Sequence, residues 1–209
     1  MKKIVIAVCF FIVAQQGMAQ HNRQQYNTYV DDGNGGNGFK KSNLFVGGSL
    51  NLGYSGYEFN VGGAPEIGYS LNKWVDVGIL ANLNYTSIRA DPYYDANQRY
   101  RIFTYGAGAF ARFYPIRFLF VIAEPEYNWT TQNQRDASSG YNYPTYSQQA
   151  PSLLLGVGYG QRIVGRTNFY IALMFDALSN PASPYRDINN AAIPILKAGF
   201  DIYLHQRRY

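Results

Sequence analysis

Cysteine, histidine and charge are all scarce in this chain. Among its 209 residues the only cysteine is Cys9 and the only histidines are His21 and His205. One cysteine excludes a disulfide scaffold. Without a His or Cys cluster there is no ligand set for a structural or catalytic metal, and no cofactor is expected. Charged residues make up 15%, against roughly 25% in soluble domains. No apolar run reaches the about 18 residues that a membrane-spanning helix requires. The net charge of +5 is small and scattered, which argues against nucleic acid as a partner. Aromatic residues are abundant instead, with 20 Tyr and 13 Phe, and a disordered chain would not carry that load.

The N-terminus reads as an address. Lys2 and Lys3 precede an apolar run from Ile4 to Ala14, and Gly17-Met18-Ala19 supplies small residues at the cleavage positions. Residues 1–19 are therefore expected to be a secretory signal peptide, cut before Gln20. Cys9 lies inside the apolar run, which excludes lipoprotein processing. Residues 20–42 are rich in Gln, Asn and Gly and read as a flexible periplasmic lead-in.

From Asn43 onward the pattern has period two, the signature of strands with one apolar face. Leu44, Val46, Leu50, Leu52 and Tyr54 alternate with a set that includes Ser49, Asn51 and Gly53. Tyr57, Val61, Ile67, Tyr69 and Leu71 do the same, and the link Ser55-Gly56 is expected to pair Tyr54 with Tyr57. Six more such runs centre on Val75–Tyr85, Phe103–Phe113, Leu119–Trp129, Leu153–Tyr159, Phe169–Phe175 and Leu196–Leu204.

Charge parity decides which face is buried. Glu58, Glu66, Asp76, Arg112, Glu124, Glu126, Arg162, Asp176, Lys197 and Asp201 all fall opposite the apolar set. Lipid demands this, because a charge facing the midplane costs about 2–4 kcal/mol. Arg101 breaks parity, at a loop end where the cost is small. The polar face is also rich in glycine, including Gly47, Gly68, Gly78, Gly156, Gly158 and Gly199. The crowded interior of a small closed barrel explains that enrichment. Phe110, Phe118, Phe120, Tyr170, Met174 and Tyr203 share this inward parity and are expected to fill the interior.

Connection lengths alternate as well. Those around Asn72-Lys73, Ile116-Arg117 and Val164-Gly165-Arg166 are tight, whereas Ala90–Gln98, Thr131–Gln149 and Ser179–Asn190 are long. Short inner turns and long outer loops are the outer-membrane pattern. Tyr85, Tyr105, Tyr127 and Trp129 near one end, with Tyr69, Phe113 and Phe169 near the other, fit two aromatic girdles.

The segments Glu66-Ile67-Gly68-Tyr69-Ser70-Leu71-Asn72-Lys73-Trp74-Val75-Asp76-Val77-Gly78 and Gly108-Ala109-Phe110-Ala111-Arg112-Phe113-Tyr114-Pro115 resemble the small outer-membrane β-barrel family common in Bacteroidota. The strand number is similar to that of OmpA and OmpX. Lys197-x-Gly199-x-x-Ile202-x-Leu204 resembles the C-terminal signal read by the barrel-assembly machinery, five residues before Tyr209. The resemblance implies an all-β, eight-stranded antiparallel up-and-down transmembrane barrel over residues 43–209. Enzymes of this form rely on a histidine at the outer face. His21 in the lead-in and His205 at the inner end do not meet that need, so no enzymatic activity is expected.

Two sets of candidate residues follow. The first is a lumen charge network of Glu66, Asp76, Arg112, Glu124, Glu126, Arg162, Lys197 and Asp201, in which Arg112 should hold one or more of Glu66, Asp76 and Glu124. Its structural role is to fill the barrel with compensated charge. The second is a set of loop tyrosines, Tyr93, Tyr94, Tyr141, Tyr143 and Tyr146, whose rings supply contact area at low entropy cost. The function expected is that of a non-enzymatic anchor or binding module in the outer membrane. Its partners would be membrane lipid, the assembly machinery during insertion, and other envelope proteins. The alternatives are an accessory subunit of a secretion or gliding machine of the type 9 kind, a narrow pore, and a lipid-modifying enzyme.

Overall fold

The computed structural model describes residues 39–54, 58–90, 98–186 and 190–205. Eight strands follow in chain order: β1 (Leu44–Tyr54), β2 (Glu58–Ser70), β3 (Val75–Ile88), β4 (Gln98–Ile116), β5 (Leu119–Asp136), β6 (Tyr146–Gly160), β7 (Asn168–Asp176) and β8 (Ile195–Tyr203). Each pairs antiparallel with the next, and β1 closes on β8, giving a closed up-and-down barrel. Closure leaves no sheet edge around the ring, so the backbone satisfies its own hydrogen bonds.

The polarity of the wall is the reverse of a water-soluble barrel. Ile67, Ile79, Phe113, Val157, Phe169 and Leu196 are exposed on the outside. Inside, Glu66, Asp76, Arg112, Glu124, Glu126, Lys197 and Asp201 are all buried. On β5 the outward apolar series runs from Leu119 to Trp129. Ten steps of about 3.3 Å, tilted by about 40°, make that band about 25 Å tall.

Register matches large inward side chains with glycine. Phe45 stands opposite Gly68, Gly68 opposite Gly78, and Gly78 opposite Phe110. Phe120 faces Gly158, Met174 faces Gly156, and Tyr170 faces both Gly160 and Gly199. A Cβ on Gly68 would collide with the Phe45 ring, and one on Gly158 with the Phe120 ring. Eight strands leave an interior just wide enough for side chains, so each ring needs a partner without one.

Several expectations from the sequence are corrected. Tyr54 pairs with Phe59 rather than Tyr57. The shift is two residues, which preserves facing, and it brings the Phe45 ring over Gly68. Residues 55–57 lie outside the described set. The segment Thr131–Gln149 is mostly strand, since β5 continues to Asp136 and β6 begins at Tyr146. The apolar alternation stops near Trp129 while the backbone ladder continues through Gln98↔Asp136 and Gln132↔Tyr146. Period-two hydrophobicity reports only the apolar wall, and it loses a strand wherever that wall ends.

Phe118 is 46% exposed and sits against Tyr159, because it occupies the two-residue turn between β4 and β5. The described end of the N-terminal lead-in touches the barrel. Phe39 stacks on Tyr69 at 5.0 Å, the Lys40 amide donates to the Tyr69 hydroxyl at 2.9 Å, and Asn43 is buried. Gln20–Gly38 lie outside the described residues.

Candidate functional site

The lumen holds its charges in three tiers, each built from inward positions of different strands. At the short-turn end, Arg162 grips Asp76 of β3 through Nε at 2.8 Å and a terminal nitrogen at 2.5 Å. It also donates to the carbonyls of Asn72 and Lys73, both at 2.9 Å, and lies over the Tyr114 ring. Arg162 is not in β6 but in the connection that follows it, and its side chain turns back into the mouth. The guanidinium thus pins the β2–β3 turn to the β6–β7 turn across the barrel.

The middle tier is centred on Arg112 of β4, which is 1% exposed. One terminal nitrogen donates to both Glu66 oxygens, at 2.6 and 2.8 Å, and to the Tyr170 hydroxyl at 3.0 Å. The other donates to Asp201 at 3.0 Å. The guanidinium carbon lies 4.5 Å from the centre of the Phe110 ring and 4.4 Å from that of Tyr170. Of the expected partners only Glu66 is engaged. Asp76 belongs to Arg162 and Glu124 to Lys197, while Asp201 is the partner that was not foreseen. Parity along a strand gives the face of a side chain. It does not give its height, and barrel stagger brings β2, β4 and β8 to one level here.

In the third tier the Lys197 ammonium bonds Glu124 and stands 3.9 Å from a Glu126 oxygen. The other Glu126 oxygen accepts from Asn82 and from Tyr185, both at 2.7 Å. Asn82 donates to Asn128 at 2.9 Å, Asn128 to Ser152 at 3.3 Å, and Ser152 meets Ser183 at 3.0 Å. Tyr185 and Ser183 come from the β7–β8 connection, expected to lie outside. It folds back instead, and Ser183 is buried. Arg186 of the same connection donates to the Asp176 and Leu178 carbonyls at 2.9 and 2.6 Å and stands 3.5 Å from the Asp176 carboxylate. Sequence reading missed Ser183, Tyr185 and Arg186 because strand parity says nothing about a loop. The only available hint was an arginine and a tyrosine in a connection long enough to reach inward.

Glu66, Asp76 and Asp201 each meet a guanidinium, and the space between tiers is filled by the buried Phe110, Phe120, Met174 and Tyr203. No group of three or more metal-ligating side chains is found among the described residues. His205 is exposed just past β8, at the short-turn end.

Of the loop tyrosines, Tyr141 and Tyr143 form an edge-to-face pair at 5.2 Å in the β5–β6 connection. Tyr146, at the start of β6, is exposed. The connection is shaped by Asp136, whose carboxylate accepts from the Ser139 and Ser138 amides at 2.8 and 2.9 Å. Those amides, Ser139 foremost, hold the carboxyl below the usual aspartate range. Tyr93 and Tyr94 lie outside the described residues.

Fold and site together define a closed eight-stranded barrel with an apolar wall and a network of ion pairs in its lumen. No protein-family model and no curated protein matches the chain. Among solved structures it is similar to Ail, the attachment invasion locus protein of Yersinia pestis, with 10% identity, 76% of this chain and 94% of that chain covered, and a TM-score of 0.43. Neisserial surface protein A is similar at 12% identity, 77% and 96% coverage and a TM-score of 0.42. The N-terminal β-barrel domain of Pseudomonas aeruginosa OprF is similar at 14% identity, 76% and 96% coverage and a TM-score of 0.40. The architecture rests on the strand ladders themselves.

Proposed function

We propose that this protein resides in a bacterial outer membrane, crosses it as eight strands, and acts without catalysis as an anchor or binding module. The observation that carries the reading is the inverted wall. An apolar band about 25 Å tall matches the outward band of outer-membrane barrels, and in water so large an apolar surface would drive association. The end with the short turns would face the periplasm and the end with the β5–β6 and β7–β8 connections the exterior. Insertion would use the barrel-assembly machinery, reading Lys197–Leu204 on the last strand.

The filled lumen favours this reading over a pore. Tyr141, Tyr143 and Tyr146 offer exposed rings for contact with another envelope protein. Membership of a larger secretion or gliding machine would use the same surface. Fractionation of cells tests the proposal. The protein should leave with the outer membrane, resist carbonate and salt, and show a gel mobility that changes on boiling. Release into the soluble periplasm would refute it. Mild detergent extraction followed by co-purification then separates a lone barrel from a subunit of a machine.

A further inference from the structure

We infer that the outward face of β3–β5 above the aromatic band binds the phosphorylated head groups of outer-leaflet lipid, with Arg99, Arg101 and Arg135 as its cationic residues; the inference rests on the outer-membrane reading above. The charges of the lumen all point inward. These three arginines are exposed and share the outward parity of Phe103, Tyr105 and Trp129. They occupy one patch. Arg99 stands directly opposite Arg135 across the β4–β5 ladder, and Arg101 stands between Ser87 and Asn133. Arg89, exposed just past β3, extends the patch.

Like charges directly opposite on a sheet repel, so Arg99↔Arg135 is a cost unless an anion sits between them. Among the described residues none supplies one. No side-chain hydrogen bond or ion pair engages Arg99, Arg101 or Arg135 there, and the carboxylate of the adjacent Asp136 is taken by its own turn amides. Glu66, Asp76, Glu124, Glu126, Asp176 and Asp201 are buried in the lumen.

Depth identifies the anion. Tyr105 stacks on Trp129 at 5.7 Å and Phe103 lies 6.1 Å from Tyr105, marking the aromatic band where acyl chains give way to head groups. Arg101 is two residues further out than Phe103, and Arg99 four. At about 3.3 Å per residue and about 40° of tilt these are about 5 and 10 Å above the Phe103 row. A polar layer of about 5–7 Å lies on each side of a bilayer core, and arginine stems reach several ångströms along a wall. Arg101 therefore stands at head-group height, and the paired Arg99 and Arg135 stand just above it, within a stem's reach of the same layer. Guanidinium forks match phosphate oxygens in pairs, and Ser87, Asn133 and Thr131 add neutral hydrogen-bonding groups between them.

The test uses the full chain folded into phosphatidylcholine vesicles containing a minor share of phosphorylated lipid A. The readout is the lipid A retained on the protein after detergent extraction and washing. The unmodified protein should retain lipid A selectively, and retain lipid A stripped of its phosphates no better than phosphatidylcholine. Near an anionic surface each arginine is worth about fivefold in binding, so Arg99→Gln with Arg101→Gln and Arg135→Gln should lower retention by about tenfold or more. The corresponding triple Lys variant should keep most of it. Equal retention by the Gln variant and the unmodified protein would overturn the inference. So would equal retention of dephosphorylated lipid by the unmodified protein, a result that needs no variant. Displacement of lipid A by an equal concentration of inorganic phosphate would also overturn it, reassigning the patch to free anions. If the unmodified protein does not fold into vesicles, shown by an unchanged gel mobility on boiling, the membrane reading fails first and the lipid site with it.

Discussion

Arg112 is the side chain whose loss should be felt most. Arg112→Ala removes the only cation among the described residues that contacts both Glu66 and Asp201, and both carboxylates are buried. Breaking a buried pair by deleting one partner costs about 3–5 kcal/mol, because the remaining charge is uncompensated. Loss of the stacking on Phe110 and Tyr170 adds about 1 kcal/mol, and water admitted to the vacated space returns part of the total. A net destabilisation of about 4 kcal/mol is expected. At a slope of about 2 kcal/mol per molar urea this lowers the unfolding midpoint by about 2 M. The assay is urea unfolding in detergent micelles, followed by tryptophan fluorescence and by the mobility of unboiled samples. A control separates charge from packing. In Arg112→Met combined with Glu66→Gln and Asp201→Asn nothing charged is left to pair, so most of the lost stability should return. An Arg112→Ala midpoint equal to that of the unmodified protein would refute the reasoning. So would a neutral triple variant no more stable than Arg112→Ala, which would make the arginine a space-filler.

Four further outcomes are expected. Protease added to intact cells should cut in residues 137–145 before residues 177–194, although the latter connection is longer, because Ser183 and Tyr185 tie it into the lumen; cutting at 137–145 that requires opened cells would invert the orientation. The reconstituted barrel should conduct no large steady ionic current, since Phe120, Met174 and Tyr203 are almost wholly buried among the charges; regular large conductance steps in planar bilayers would contradict a filled lumen. Gly158→Val should push the Phe120 ring off its seat and lower stability by about 1–3 kcal/mol, read from the same urea curves, whereas an unchanged midpoint would show that the ring has room to turn. The exported protein should have an intact mass corresponding to a start at Gln20, and a mass retaining residues 1–19 would defeat the signal-peptide reading.

How much was legible in the sequence follows from what a period of two can encode. A strand in a thin wall between lipid and a packed lumen must alternate, and every charge within the apolar band must choose the inner face. Strand number, strand identity, the inward charges and the use of glycine beside large rings were therefore all determined by the order of residues. The tight turns were too, because they end the alternation abruptly. Only the tertiary structure decided what depends on height and on closure. The ring stagger selects Asp201 and Glu66 for Arg112, and it gives Asp76 to Arg162 and Glu124 to Lys197. Beyond the apolar wall the ladder of β4, β5 and β6 continues on backbone hydrogen bonds, which polar side chains neither signal nor oppose. The loop that sends Tyr185 to Glu126 obeys no periodicity at all. Its path is set by the Glu126 carboxylate in the lumen, a partner that stands there only once eight strands have closed around it.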